Sequence, residues 1–117
     1  MSDIIQRFTN LLSANSGTIG TTPGQISGGP PANWPLTTVS AAFYPSYRRA
    51  AVRVTNTHAT QTLYVGPNGS IVPGPGGGWA YELGPGQSTP YEPLSGSVPL
   101  WLVGSAAGTS WLLEEFN

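Results

Sequence analysis

The stretch 50-AAVRVTNTHATQTLYVG-66 decides the fold class. Val52 and Val54 alternate with Arg53, and this period of two is typical of a strand that buries one face. The polar residues that begin at Asn56 predict a hairpin loop, and 62-TLYVG-66 predicts the next strand. This part of the chain therefore indicates β structure with short connections.

Similar runs recur about every ten residues through the rest of the chain. Turn-forming residues such as Gly84-Pro85-Gly86 separate them, and no helical periodicity follows residue 13. We therefore predict an all-β domain over residues 36–117, an antiparallel β-sandwich or jelly-roll-like fold. The predicted strands span residues 36–43, 49–56, 62–66, 78–83, 98–104 and 109–116.

The alternation also predicts which side chains share a face, because successive residues of a strand point to opposite sides. Trp79, Tyr81 and Leu83 are expected on one face of their strand. Four aliphatic side chains are expected to line the domain interior: Leu63, Val65, Leu100 and Leu102.

Residues 1–13 have a different period and predict a short amphipathic helix. Ser2 and Asp3 suit its first turn, where side-chain oxygens accept hydrogen bonds from free amides. A helix of about twelve residues is marginal alone, so its apolar stripe needs a docking surface on its own domain or on another chain. The stripe, a predicted interface, consists of Ile4, Ile5, Phe8, Leu11 and Leu12.

Residues 14–35 are rich in Gly, Ser, Thr and Pro and predict an extended arm. Fully extended, the segment could reach on the order of 70 Å. Such a composition does not order itself, so the arm is expected to lie across another molecule. Its three apolar anchors, also predicted interface residues, are Ile19, Ile26 and Trp34.

Charge is scarce, since only 8% of the 117 residues are charged against roughly 25% in ordinary soluble domains. Dispersed charge normally keeps a surface soluble, so partner proteins are expected to cover much of this one. The formal net charge of −1 argues against a nucleic-acid partner. Arg48, Arg49 and Arg53 either pair with glutamates or lie at exposed strand positions, or else form a candidate basic contact patch.

The chain contains no cysteine, which excludes disulfides and thiol chemistry. No apolar run approaches the roughly 20 residues that a membrane helix requires. The N-terminal residues also lack the pattern of a signal peptide. We therefore expect a protein that is made and used without export and has no membrane partner.

Few residues suggest catalysis. His58 is the only histidine and lies at a predicted hairpin tip, and Asp3 is the only aspartate, so a nucleophile–base–acid triad has little local support. Glu114 and Glu115 are consecutive strand residues that point to opposite faces and would not chelate a metal together. We expect these two glutamates to form a polar end of the last strand.

Two further patterns resemble known kinds of site, a glycosidase carboxylate pair and a phosphate-binding loop. Glu82 and Glu92, with nearby aromatic side chains, could form the carboxylate pair of a glycosidase, but they equally suit a small β interface. The run 73-PGPGGGWAYELGPG-86 lacks the Gly-Lys-Ser/Thr of a phosphate-binding loop, so its glycines predict a flexible, closely packed loop. We predict no enzyme activity, no cofactor and no metal site.

Taken as a unit, residues 50–116 resemble small β-sandwich structural proteins of tailed bacteriophages, including head decoration (cement), fibre-base and tail-associated proteins. A strand ending in Val-Thr-Asn is followed by a polar hairpin, and an aromatic strand leads into Leu-Gly-Pro-Gly. The positions that carry the resemblance are Val54-Thr55-Asn56, Leu63-Tyr64-Val65-Gly66, Leu83-Gly84-Pro85-Gly86 and Leu100-Trp101-Leu102-Val103.

The resemblance implies a non-enzymatic virion protein, most specifically a capsid decoration protein that binds the major capsid protein. It also implies a homo-oligomer, with a trimer favoured. The arm and helix would then clamp neighbouring capsid subunits. Two alternatives stay open: another virion part, such as a head–tail, baseplate or fibre-base component, and a β module that displays Tyr44, Tyr47, Trp79 and Tyr91 to a glycan.

Overall fold

A computed structural model describes residues 11–28, 50–94 and 98–117. Within these residues the chain forms eight strands and no helix, and all neighbouring strands are antiparallel. The strands are β1 (Leu11–Ile19), β2 (Gly24–Ser27), β3 (Ala51–Asn56), β4 (Leu63–Gly66), β5 (Tyr81–Leu83), β6 (Glu92–Pro93), β7 (Leu100–Gly104) and β8 (Thr109–Phe116).

The strands form two four-stranded sheets that pack face to face. Sheet A has the order β1-β8-β3-β6, and sheet B has the order β2-β7-β4-β5. The long strand β8 lies inside sheet A and pairs with β1 on one side and β3 on the other. The predicted all-β, antiparallel, sandwich-like fold is therefore confirmed.

The core between the two sheets consists of alternate side chains from both. Val52 and Val54 of β3 point into it, whereas Arg53 between them does not. The expectation for four interior positions is confirmed, because Leu63, Val65, Leu100 and Leu102 are all buried in this core. Leu83 and Leu113 complete the fully buried part, and Ile19, Ile26, Tyr81, Leu94 and Trp111 pack against it.

A second apolar cluster lies on the outer face of sheet B, beneath the connection between β4 and β5. The predicted shared face is wrong for Trp79, because β5 begins only at Tyr81 and Trp79 belongs to this connection. Ile71 from the same connection is buried there as well. The cluster consists of Tyr64, Ile71 and Val103, with Trp79 and Trp101 packed against them.

The predicted arm is wrong for residues 14–28, because this part of the chain lies in the sheets of its own domain. β1 pairs with β8 over its full length, and β2 pairs with β7. Backbone hydrogen bonds to these neighbours supply the order that its side chains alone cannot. Ile19 and Ile26 then pack against the chain's own core.

The helix predicted over residues 1–13 is wrong at its last three residues, which belong to β1. The physical reason is that pairing with β8 satisfies the backbone of these residues without a helical ladder. Residues 1–10, the arm segment 29–35 and the predicted strand 36–43 lie outside the described residues. The short strand β6 was not predicted, since two residues that include a proline carry no periodicity.

Candidate assembly surface

β1 is an edge strand, and no described strand pairs with its other side. It is nine residues long and contains no charged residue and no proline. The side chains of Ala14, Asn15, Ser16 and Thr18 are exposed. An edge strand presents unpaired backbone donors and acceptors, and natural proteins usually protect such edges with charge or proline. β1 lacks both kinds of protection.

The sequence of β1 fits this place because its small residues let a large side chain of β8 lie across it. Gly17 is directly opposite Trp111, and a Cβ at Gly17 would come within 2.9 Å of the indole ring. The register shifts between Leu11 and Ser13, which marks a β-bulge at the start of the strand. Past this bulge, Leu11 is 52% exposed.

Glu115 joins the first two strands to the rest of the domain. Its side chain is 3% exposed, so the expectation of a polar strand end is wrong for this residue. Ser13 of β1 donates a hydrogen bond to one carboxylate oxygen at 2.9 Å, and Ser27 of β2 donates to the other. A charge-assisted contact therefore holds the edge strands of both sheets at one point. The only sequence signal for it was the inward parity of Glu115 with Leu113.

Glu114 points the other way and forms an ion pair on the outer face of sheet A. Arg53 lies opposite it in register, and its Nε and a terminal guanidinium nitrogen lie 2.8 Å and 2.6 Å from Oε1. The guanidinium also lies over the ring of Tyr91, 4.9 Å from its centroid. Of the predicted basic cluster, Arg53 is thus paired with a glutamate, and Arg48 and Arg49 lie outside the described residues.

His58 has a structural role in the loop between β3 and β4. Its Nδ1 accepts hydrogen bonds from the backbone amides of Thr60 and Gln61, at 3.1 and 3.0 Å. Asn56 is fully buried beside it and donates from Nδ2 to the carbonyl oxygens of Gln61 and Leu83. This pair connects the loop to sheet B, and sequence reasoning did not identify the part that Asn56 plays.

The two glutamates weighed as a glycosidase pair lie in different places. Glu82 is on the outer face of sheet B, where the Tyr64 hydroxyl donates to it at 3.2 Å. Burial raises the pKa of Tyr64, and the hydrogen bond to Glu82 acts in the same direction. Glu92 instead lines a cleft of about 410 Å³ between the sheets, whose other walls are mostly apolar, with Val52, Val65 and Leu100 among them.

The aromatic side chains proposed for glycan binding do not form one strip among the described residues. Trp79 packs on the outer face of sheet B against Tyr64, with ring centroids 5.2 Å apart. Tyr91 lies on sheet A, in an edge-to-face contact with Phe116 at 5.1 Å. Tyr44 and Tyr47 are outside the described residues. Within the described ranges, no three His, Asp or Glu side chains cluster in a way that could hold a metal ion.

The predicted interface residues are therefore divided. Leu11 and Leu12 belong to β1, and Leu11 is exposed there. Ile19 and Ile26 pack against the core and are not free anchors. The other residues of the stripe and arm lie outside the described ranges: Ile4, Ile5, Phe8 and Trp34.

In the described part of the chain, no helix has the length and apolar character needed to cross a membrane. Comparisons of the chain with protein-family models, with curated proteins and with solved structures find no match.

Proposed function

We propose that this protein is a non-enzymatic structural subunit that works by assembling with other protein chains. The observation that carries the proposal is β1, a nine-residue edge strand without charge or proline whose side chains are largely exposed. Natural proteins usually protect such an edge because it pairs readily with other chains. An edge strand without charge or proline, in a chain with 8% charged residues, suits a protein whose surface is covered in its working state.

Five of the six Arg, His and Glu side chains in the described ranges support a structural role, and the sixth, Glu92, lines the cleft between the sheets. Arg53 and Glu114 form an ion pair, Glu82 accepts from Tyr64, and Glu115 accepts from two serines. His58 accepts two backbone hydrogen bonds within its own loop. Each of these groups is engaged in holding the fold together, which leaves it less suited to bind or protonate a substrate.

The most specific form of the proposal is a capsid decoration or cement protein of a tailed bacteriophage, located in the virion and bound to the major capsid protein. The resemblance over residues 50–116 supports this form. Because residues 14–28 are committed to the domain's own sheets, the clamp would act through the β1 edge and through residues outside the described ranges. Ile4, Ile5, Phe8 and Trp34 remain the proposed anchors, with Phe8→Asp expected to reduce retention on particles.

Particles purified from the organism that encodes the chain, after induction of any resident phage, test this proposal. We expect the full-length protein to copurify with intact heads in a stoichiometric number of copies, as counted by quantitative mass spectrometry. Labelling with an antibody against the chain would then place it on the shell. Label at the neck, baseplate or fibre base would instead favour another virion part. A protein that stays in the soluble fraction, or binds an insoluble polysaccharide and no particle, would overturn the proposal.

A further inference from the structure

We infer that β1 pairs with β1 of a second copy of this chain, antiparallel and about a twofold axis, so that two copies of sheet A form one continuous sheet. The inference deepens the proposed assembly role and rests on it, but it does not depend on a phage particle. The proposed interface is β1, and the proposed partner is β1 of a second copy of the chain.

β1 is the one long edge among the strands that the structure describes. The opposite edge of sheet A is β6, which has two residues, and Pro93 is one of them. Proline lacks the N–H that a pairing strand must donate. The edges of sheet B are the four-residue β2 and the three-residue β5, each less than half as long as β1.

This difference in length between the strand edges determines the symmetry of an oligomer that forms through them. A ring of copies, such as a trimer, needs two different complementary edges, one for each neighbour. With one usable edge among the described strands, copies of the chain can extend this sheet only by placing that edge against itself, which gives a closed twofold pair. The trimer implied by the resemblance would have to use a surface other than these strand edges.

The sequence of β1 is also compatible with pairing to itself. An antiparallel register centred on Asn15 places Ser13 opposite Gly17 and Ala14 opposite Ser16, so small uncharged side chains meet. No like charges are brought together, which is the usual obstacle to self-pairing. Beyond the bulge, the same register brings the exposed Leu11 close to Thr18 and Ile19 of the second copy and would cover it.

The test measures the mass of the full-length chain by light scattering across a concentration series. We expect about twice the chain mass of 12.2 kDa. Asn15→Lys should move the dissociation midpoint at least about tenfold higher in concentration, because two ammonium groups would meet at the axis. Thr60→Lys is the matched control, since it adds the same charge at an exposed loop position away from β1 and should leave the mass unchanged.

A second variant reads the register directly and does not depend on the lysine variant remaining folded. The chain has no cysteine, so Asn15→Cys introduces a single thiol. Opposed antiparallel residues lie about 5 Å apart, within disulfide range, so mild oxidation should yield covalent dimers. Thr60→Cys should not yield them.

Three results would overturn the inference: a monomer at every concentration, a trimer, or a dimer that Asn15→Lys does not weaken and Asn15→Cys does not cross-link. These results are distinct from failure of the proposed function. A monomer that still copurifies with particles would overturn the pairing of β1 with itself and leave the proposed function standing.

Discussion

The two sheets treat their outer faces differently. Sheet B covers its outer face with the chain's own connection, residues 67–80, which buries Tyr64, Ile71 and Val103. Sheet A presents polar and charged side chains there, including the Arg53–Glu114 pair, and Tyr91 remains 46% exposed. The difference indicates where a partner can bind, because residues 67–80 already cover the outer face of sheet B.

The connection over sheet B is held by contacts that leave little free space. The Val72 amide donates to the carbonyl oxygen of Gly77 at 2.9 Å and closes a tight loop. The Trp79 indole N–H donates to the carbonyl oxygen of Gly74 at 2.7 Å. A Cβ at Gly69 would come within 3.0 Å of the Trp101 ring. These contacts confirm the close packing predicted for the glycine-rich run, whereas its predicted flexibility stays a prediction.

The largest loss of stability is expected when the Ile71 side chain, on the outer face of sheet B, is truncated. Ile71→Ala would empty a site that is 1% exposed and should lower the free energy of unfolding by about 2–4 kcal/mol. Leu112→Ala is the matched change on sheet A, where Leu112 is half-buried opposite Thr55, and should cost under about 1 kcal/mol. Urea denaturation of both variants measures the difference. Equal losses would show that the outer face of sheet A is as well covered as that of sheet B.

The second largest loss of stability is expected from a change that displaces backbone in the connection over sheet B. A Cβ at Gly77 would lie 1.9 Å from the Val72 carbonyl oxygen, so Gly77→Ala must displace backbone. We expect a cost of about 1–3 kcal/mol, together with greater protease sensitivity within residues 67–80. Gly20→Ala provides the control, because its added Cβ meets only an ordinary contact at 3.9 Å. If Gly77→Ala were harmless, the connection would be less rigid than its contacts indicate.

The features that alternation encodes could be predicted from the sequence. Val52, Val54, Leu63 and Val65 were placed correctly because period-two patterns report the buried face directly. β1 could not be found in this way, since its side chains are small or polar and its order comes from backbone pairing with β8. Composition alone made the same residues resemble a free arm.

The polar contacts were harder still to predict. Glu115 is buried because Ser13 and Ser27, about ninety to a hundred residues earlier in the chain, converge on it. Trp79 was placed on the wrong face because β5 starts at Tyr81, three residues later than the predicted strand. The first error concerns tertiary proximity, which no local pattern reports, and the second concerns a strand boundary, which alternation does not fix. The candidate surface followed only when the strand order showed β1 at an edge.

The pH dependence of stability tests how well residues 67–80 bury Tyr64 on the outer face of sheet B. Its pKa is raised by burial and then by Glu82, so the folded state holds the phenol proton more tightly than the unfolded state. The resulting stability is fully present below a pH of about 10 and is lost as the pH rises through the folded pKa. Tyr64→Phe should cost about 1 kcal/mol at pH 7 and should lose part of this alkaline decline.

Urea denaturation at pH 7 and at several values above pH 10 measures this effect. Glu82→Gln serves as a comparison, because it removes the carboxylate and leaves the burial of Tyr64 in place; its alkaline decline should be intermediate. A Tyr64→Phe variant with an unchanged alkaline decline would contradict the assignment and indicate that solvent reaches the phenol through residues 67–80.

The smallest change in stability is expected for the Arg53–Glu114 ion pair on the outer face of sheet A. The two side chains are 34% and 18% exposed, so solvent screens their attraction. A double-mutant cycle with Arg53→Met and Glu114→Gln should give a coupling energy of about 0.2–1 kcal/mol in the free protein, and less at high salt. A salt-independent coupling well above this range would mean that the face is already covered. The same cycle can be measured on assembled protein. Coupling that grows on assembly would place a partner over this face of sheet A. Unchanged coupling would confine assembly to the β1 edge.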